Sequence, residues 1–248
     1  HSGNNLNDIK QLINEQDERI IFQEIDKSNA REFFRKQLSE LVKSLASSKS
    51  DGLINLKEIT LPNEFDLILL GASTGGPEAV KQIIGQLKTN MPPILIVLHM
   101  QPEFVERYCE RLKRITPLNV IRFVEHQKIG PNSIYIAAGS NHMEISKTGS
   151  DYFLNKGNKS KINGHCPSVD VLFKSAAKIY DTKILAVLLT GMGSDGAEGL
   201  NLLKNSGAFT ITQNEETSEV YGMPKAAIEM GAAKRILSLE QIIKILSK

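Results

Sequence analysis

The sequence predicts an α/β protein: a doubly wound, mostly parallel, Rossmann-like sheet with a small antiparallel hairpin insertion at one edge. Three observations carry that reading. The runs FDLILL (65–70), PPILIVL (92–98) and ILAVLLT (184–190) are short and almost wholly apolar, as strands buried on both faces of a parallel sheet are. Stretches with helical spacing alternate with them, which is the βαβ signature. Each run also leads into a turn carrying a chemically capable side chain, and sheets of this class bind ligands outside the carboxyl ends of their strands.

Taken in order, the chain opens on His-Ser-Gly, which reads as a cloning remnant and is set aside. Residues 1–60 are expected to form an amino-terminal helical segment and linker ahead of a domain over 61–248. In AREFFRKQLSELVKSLA, Phe34, Leu38, Leu41 and Leu45 recur at helical spacing, and SSKSDG (47–52) is the polar break that suits a linker. With 9 basic and 10 acidic residues in its first 60, the segment is no basic arm. The strand over 65–70 leads to a helix in PEAVKQIIGQL. The strand over 92–98 leads to another in PEFVERYCERLKRI. SIYIAAG (133–139), NHMEIS (141–146) and DYFLN (151–155) are short with polar interruptions and are assigned to the antiparallel insertion. Helices follow over VDVLFKSAAKIY, 196–206 and 224–230.

Composition excludes several function classes. A net charge of +2, from 30 basic and 28 acidic residues in 248, gives no electrostatic footprint for nucleic acid or an anionic membrane. No apolar run approaches the ~20 residues of a membrane span, and residues 1–30 lack a secretory signal's pattern. Two cysteines, Cys109 and Cys166, make no disulfide framework, so a reducing, cytoplasmic setting is expected.

The first turn, Gly71-Ala72-Ser73-Thr74-Gly75-Gly76-Pro77, admits a phosphate loop, a nucleophile or a tight corner. A phosphate loop needs lysine and a hydroxyl residue where Pro77 and Glu78 stand, and a carboxylate there would repel phosphate. The dinucleotide pattern fails because Ser73 occupies its second glycine. G-x-S-x-G does match, between a strand and a helix, as a nucleophile elbow requires. The alternative is a glycine corner with a capping serine; Pro77 at the first helical position would make Gly76 the cap instead. Catalysis and corner stay level on this motif alone.

A serine nucleophile needs a base and a group to orient it. His126 lies among polar residues, His142 in a hairpin-like strand, and His165 beside Cys166 in an irregular loop. His99 directly follows ILIVL, which puts it on the same rim as Ser73. In the third turn, LLTGMGSDG, Asp195 is either a helix N-cap or the carboxylate that orients His99; Asp170 in PSVDVLF is a rival. No pair of histidines or cysteines has metal-ligand spacing.

Six segments in order, GASTGG, HMQPEF, IYIAAGSNHM, PSVDVLF, LLTGMGSDGAEG and TQNEETSEVYGMPKAA, resemble the chemotaxis methylesterases, the protein-glutamate methylesterases that demethylate chemoreceptors. The resemblance covers roughly residues 64–248. It implies Ser73 as nucleophile, His99 as base and Asp195 as its orienting acid, with Thr74 and Met192 in the oxyanion and substrate pocket. It further implies hydrolysis of γ-glutamyl methyl esters, and deamidation of glutamines, on the cytoplasmic helical domains of methyl-accepting receptors, with no metal or organic cofactor. A chemotaxis kinase or a receiver domain outside this chain is an implied partner. One small departure is Leu98, where the family leads one to expect glutamine, while His165-Cys166 before PSVD reads as family-variable; the larger departure is at the amino end. Residues 1–60 are too few for a receiver, which needs ~100 residues; they resemble at most its last helix and linker. Two other readings stay open: a non-catalytic signalling module using the same rim, and a general α/β-hydrolase esterase, whose chain order would be serine, acid, histidine.

Overall fold

The computed structural model describes residues 65–247; the amphipathic helix and linker expected before them lie outside the described residues. Seven parallel strands form one sheet, in the order β10-β9-β8-β1-β2-β5-β3. They are β1 (Leu67–Ala72), β2 (Ile94–Leu98), β3 (Asn119–Arg122), β5 (Ser133–Ala137), β8 (Ile184–Leu188), β9 (Phe209–Gln213) and β10 (Arg235–Leu237). β1, β2 and β8 are buried at every position, which explains why their sequences lack a polar alternation. Helices α1 (Gly76–Ile84), α2 (Pro102–Lys113), α3 (Val169–Ala176), α4 (Ala197–Asn205), α5 (Met223–Glu229) and α6 (Leu239–Leu246) cover the sheet.

Strand alternation divides the core in two. Leu67, Leu69, Leu95, Val97, Ala186 and Leu188 join Val169, Phe173, Leu200 and Met223 of α3, α4 and α5. The intervening residues, such as Ile68, Leu70 and Ile96, are equally buried and belong to the other face, where α1 packs on α6. Each such apolar side chain contributes roughly 1.5–3 kcal/mol by leaving water.

The antiparallel unit is a separate sheet of β4 (Gln127–Lys128), β7 (Asp151–Lys156) and β6 (Met143–Thr148). Met143, Ile145 and Leu154 seat it on the α3 side of the core. One assignment is corrected. SIYIAAG is no part of the insertion: Ser133–Ala137 lies inside the parallel sheet between β2 and β3. Its polar interruptions are satisfied internally, since Tyr135 accepts a bond from the Gly130 N–H (3.2 Å) and Ser133 donates to Pro131 O (3.3 Å). A strand with paired polar atoms can be wholly buried.

From β1 the chain first builds outward through β2 and later returns to add β8 on the other side. The turns after β1 and β8 therefore leave the sheet side by side at the switch point, the place where such sheets bind ligands. Register aligns these ends: Ala72 pairs with Leu98, and Gly71 with both Val97 and Leu188.

Candidate active site

The chain leaves β1 at Ala72 and enters α1 at Gly76, so Ser73 stands in a three-residue turn. The N-cap of α1 is Gly75 rather than Gly76, with φ +76° and no side-chain cap bond. A side chain at Gly75 would suffer both that left-handed backbone and a Cβ 2.6 Å from the Glu219 Cβ. Ser73 is thus not spent on capping. Its N–H donates to Thr190 O (3.0 Å) and its carbonyl accepts from Gly76 N–H (2.8 Å). Gly191 sits so close that a Cβ there would lie 2.7 Å from the Ser73 Cβ and would strike Met223 Sδ. The serine is held by backbone on two sides, 9% exposed, with its hydroxyl outside any hydrogen bond among the described residues.

His99 is the residue after β2, and its N–H donates to Ala72 O (3.1 Å), one residue before Ser73. Its Nε2 lies 2.9 Å from Asp195 Oδ2. A carboxylate only accepts, so Nε2 carries the proton and Nδ1 keeps its lone pair. Nδ1 is buried and has no hydrogen-bond partner among the described residues, the state of a base awaiting a donor. Two of the three expected residues are therefore bonded directly. Ser73 adjoins them through the backbone without a Ser73–His99 hydrogen bond, which commonly tightens only with substrate in place.

Asp195 is not the cap of α4; that position is Gly196, with no side-chain cap bond. Its wholly buried carboxylate turns instead to the amino end of α3. Oδ2 accepts from the Val169 N–H (2.7 Å). Oδ1 accepts from Ser168 Oγ (2.6 Å), Asn163 Nδ2 (3.3 Å) and the Asp170 N–H (3.3 Å). Burial pushes this carboxyl pKa up, but the bonds from His99, Ser168 and Val169 outweigh it and bring it down to about 2. The N-terminal end of α3 adds its dipole in the same sense. Asp195 is thus a fixed negative charge facing His99.

The rival Asp170 has no hydrogen bond or ion pair with His99 among the described residues. It accepts from the Gly199 N–H (2.7 Å) and Asn163 Nδ2 (2.9 Å), tying α3 to α4, and burial raises its pKa. His142 is a structural residue: Nδ1 accepts from the Ser168 N–H (3.0 Å) and Nε2 donates to Ser160 O (2.9 Å). It thereby steadies the serine that holds Asp195. His126 is exposed in a loop, as its surroundings suggest. Both cysteines are free thiols, Cys109 buried and Cys166 partly so.

Thr74 and Met192 border the serine. Thr74 O accepts from Thr190 Oγ1 (2.9 Å), which fixes its peptide. The N–H groups of Thr74 and Met192 have no protein acceptor among the described residues. The Met192 side chain is 67% exposed, at the rim rather than in the core. Leu98, the departure before His99, is fully buried and packs against Gly76, away from the polar groups of the site.

Sequence reasoning missed His165. Its ring stacks on that of His99 with centroids 3.8 Å apart and planes 10° apart. A cleft of about 310 Å³ opens beside the pair, bordered by Met100, Pro102, Lys161 and Cys166. No periodicity announces a stacked ring; the one local signal is Asn163-Gly164, a type I′ turn pair.

A serine at a strand-to-helix turn, with a buried aspartate–histidine pair on the same rim, is the set of groups that a triad-type hydrolase calls for. Comparison with known proteins agrees with that class: the family model of the CheB methylesterases matches residues 68–246, and the chain belongs to that family. It is 43% identical over 176 residues to the protein-glutamate methylesterase/protein-glutamine glutaminase 2 of Pseudomonas aeruginosa, covering 71% of this chain and 50% of that protein. To its counterpart in Bdellovibrio bacteriovorus it is 36% identical over 234 residues, covering 88% of this chain and 65% of the relative. The crystal structure of the Thermotoga maritima CheB methylesterase catalytic domain superposes with a TM-score of 0.71 at 36% identity, over 74% of this chain and 98% of that one. The chain spans about half the length of the first of these relatives.

Proposed function

We propose that residues 61–248 are the catalytic domain of a protein-glutamate methylesterase that also deamidates glutamines, and that residues 1–60 are its amino-terminal helical segment. The observation that carries the reading is the His99–Asp195 bond at the carboxyl rim (2.9 Å), which leaves the buried His99 Nδ1 without a hydrogen-bond partner among the described residues. Relatives bearing the name protein-glutamate methylesterase/protein-glutamine glutaminase support the substrate class.

In the proposed reaction, Ser73 Oγ attacks the side-chain carbonyl of a receptor γ-glutamyl methyl ester while His99 Nδ1 accepts its proton. The imidazolium is stabilised by Asp195, already ionised. The Thr74 and Met192 N–H groups bind the oxyanion, a contribution worth about 10²–10³ in rate per donor in such pockets. Collapse of the tetrahedral intermediate returns the proton from His99 to the leaving oxygen, releasing methanol. With a glutamine substrate the leaving group is ammonia. Water then repeats the cycle on the acyl-serine, leaving glutamate.

The partners on this reading are the cytoplasmic helical domains of methyl-accepting receptors, with a chemotaxis kinase or receiver domain supplying control, in the cytoplasm. Among the described residues no helix is long and apolar enough to cross a membrane. A serine-directed fluorophosphonate tests the chemistry without a receptor. Labelling of the whole chain that vanishes in Ser73→Ala is expected; an unlabelled Ser73 would leave only a binding module.

A further inference from the structure

His165 is better held than a surface loop residue. Ile162 and His165 exchange two backbone hydrogen bonds (3.0 and 2.9 Å), closing a turn whose centre is Asn163 (φ 51°) and Gly164 (φ 81°). Positive φ at both central residues is the type I′ geometry, which asparagine and glycine adopt at low cost. The Asn163 side chain bonds both Asp170 (2.9 Å) and Asp195 (3.3 Å). The turn that carries His165 is therefore pinned to the same carboxylate that orients His99. The result is a ring laid flat on the base, 3.8 Å away and 10° from parallel.

We propose that His165 is a positioning residue for His99, acting as a stacked neutral ring that fixes the imidazole plane and shields one face from water. The proposal rests on the esterase reading above. Bonded only through Nε2, His99 would be free to rock about its Cβ–Cγ axis; a ring against its face removes that freedom and fixes the direction of the Nδ1 lone pair. A neutral aromatic face also suits the imidazolium that forms during turnover. A protonated His165 would oppose it, since two cations would then stand face to face.

The groups that face His165 are His99 from the end of β2, Asp195 from the loop before α4, and Lys161 from its own loop, with the Cys166 thiol next in chain. Burial first, then His99, lowers the His165 pKa, Asp195 raises it, and Lys161 lowers it further. The net shift is downward, so His165 is neutral at neutral pH.

The test compares the whole chain with His165→Ala, His165→Phe and Asn163→Ala, reading the rate of Ser73 labelling by a fluorophosphonate against pH. Methanol release from methylated receptor membranes supplies kcat and KM. His165→Ala and Asn163→Ala should lower the labelling rate and kcat about tenfold or more, with KM little changed, since misplacement by about an ångström can cost 10²-fold. His165→Phe should restore the rate to within about threefold of wild type. Its acid limb should be shallower, because residue 165 can no longer take up a proton beside His99. Wild-type rates and pH profile in His165→Ala would overturn the proposal. So would a His165→Phe variant as slow as His165→Ala. Failure of the wild-type chain to label at all would instead sink the esterase reading, so the two failures are distinguishable.

Discussion

At the scale of single residues, the site is a set of donors arranged around one carboxylate. Asp195 receives bonds from His99, Ser168, Asn163 and two backbone N–H groups, and its charge is held by them. Its pKa of about 2 lies below the unfolded carboxylate's 3.8. The sign of the linkage follows: a depressed acid stabilises the fold above the unfolded pKa, and that stability is lost as pH falls through the folded one. Between about pH 4 and 2, stability on the order of 2 kcal/mol should disappear. Denaturant titrations should show this acid slope shrinking in Asp195→Asn. Ser168→Ala, removing a 2.6 Å bond to the same carboxylate, should cost about 1.5–3 kcal/mol by the same assay. Ser73→Ala and His99→Ala should each lower turnover by roughly four orders of magnitude or more, and the double variant little further, because the residues act as a unit. That Ser73, His99 and Asp195 share one rim was legible in the sequence because each directly follows, or closely follows, a run too apolar to be anything but a buried strand. Choosing Asp195 over Asp170 was not settled by the residues alone, since both begin helices. Only the fold decides which carboxylate faces the histidine.

At the scale of elements, two crossings make the site. The amino end of α3 is aimed at Asp195 from across the sheet face, while α4, which Asp195 precedes, is capped by a glycine. Local sequence rules assign an aspartate to its own helix; here it serves the neighbouring one. The second crossing is between the turns after β1 and β8, where Gly191 abuts Ser73 and Met223. Gly191→Ala should therefore displace the serine, destabilise the protein by about 1–3 kcal/mol through overpacking, and cut the labelling rate of Ser73 more than tenfold. Strands β1, β2 and β8 could be read directly because burial on both faces removes alternation. β5 does not follow its expected place in the insertion because its polar interruptions, Ser133 and Tyr135, both find partners inside. β3 and β10 carry too few residues for any period to show, and the threonines of β9 (FTITQ) break up an apolar run although they are buried. His165 left no trace but its Asn-Gly turn, since a stack between residues 66 positions apart is a purely tertiary fact.

At the scale of the whole molecule, the parallel order and its switch point explain why three distant segments meet: the sheet brings the ends of β1, β2 and β8 side by side. The family match over residues 68–246 predicts that a chain of residues 61–248 folds alone, unfolding in one cooperative transition by calorimetry, and labels Ser73 at least as fast as the full chain. Slower labelling would assign residues 1–60 a part in the site itself. The most direct test of the central claim is methanol release from methylated receptor membranes, measured with this chain and with Ser73→Ala side by side. Release by the parent chain and its near-complete loss in the variant is the predicted result. Near-normal release by Ser73→Ala would contradict the triad and the function built on it.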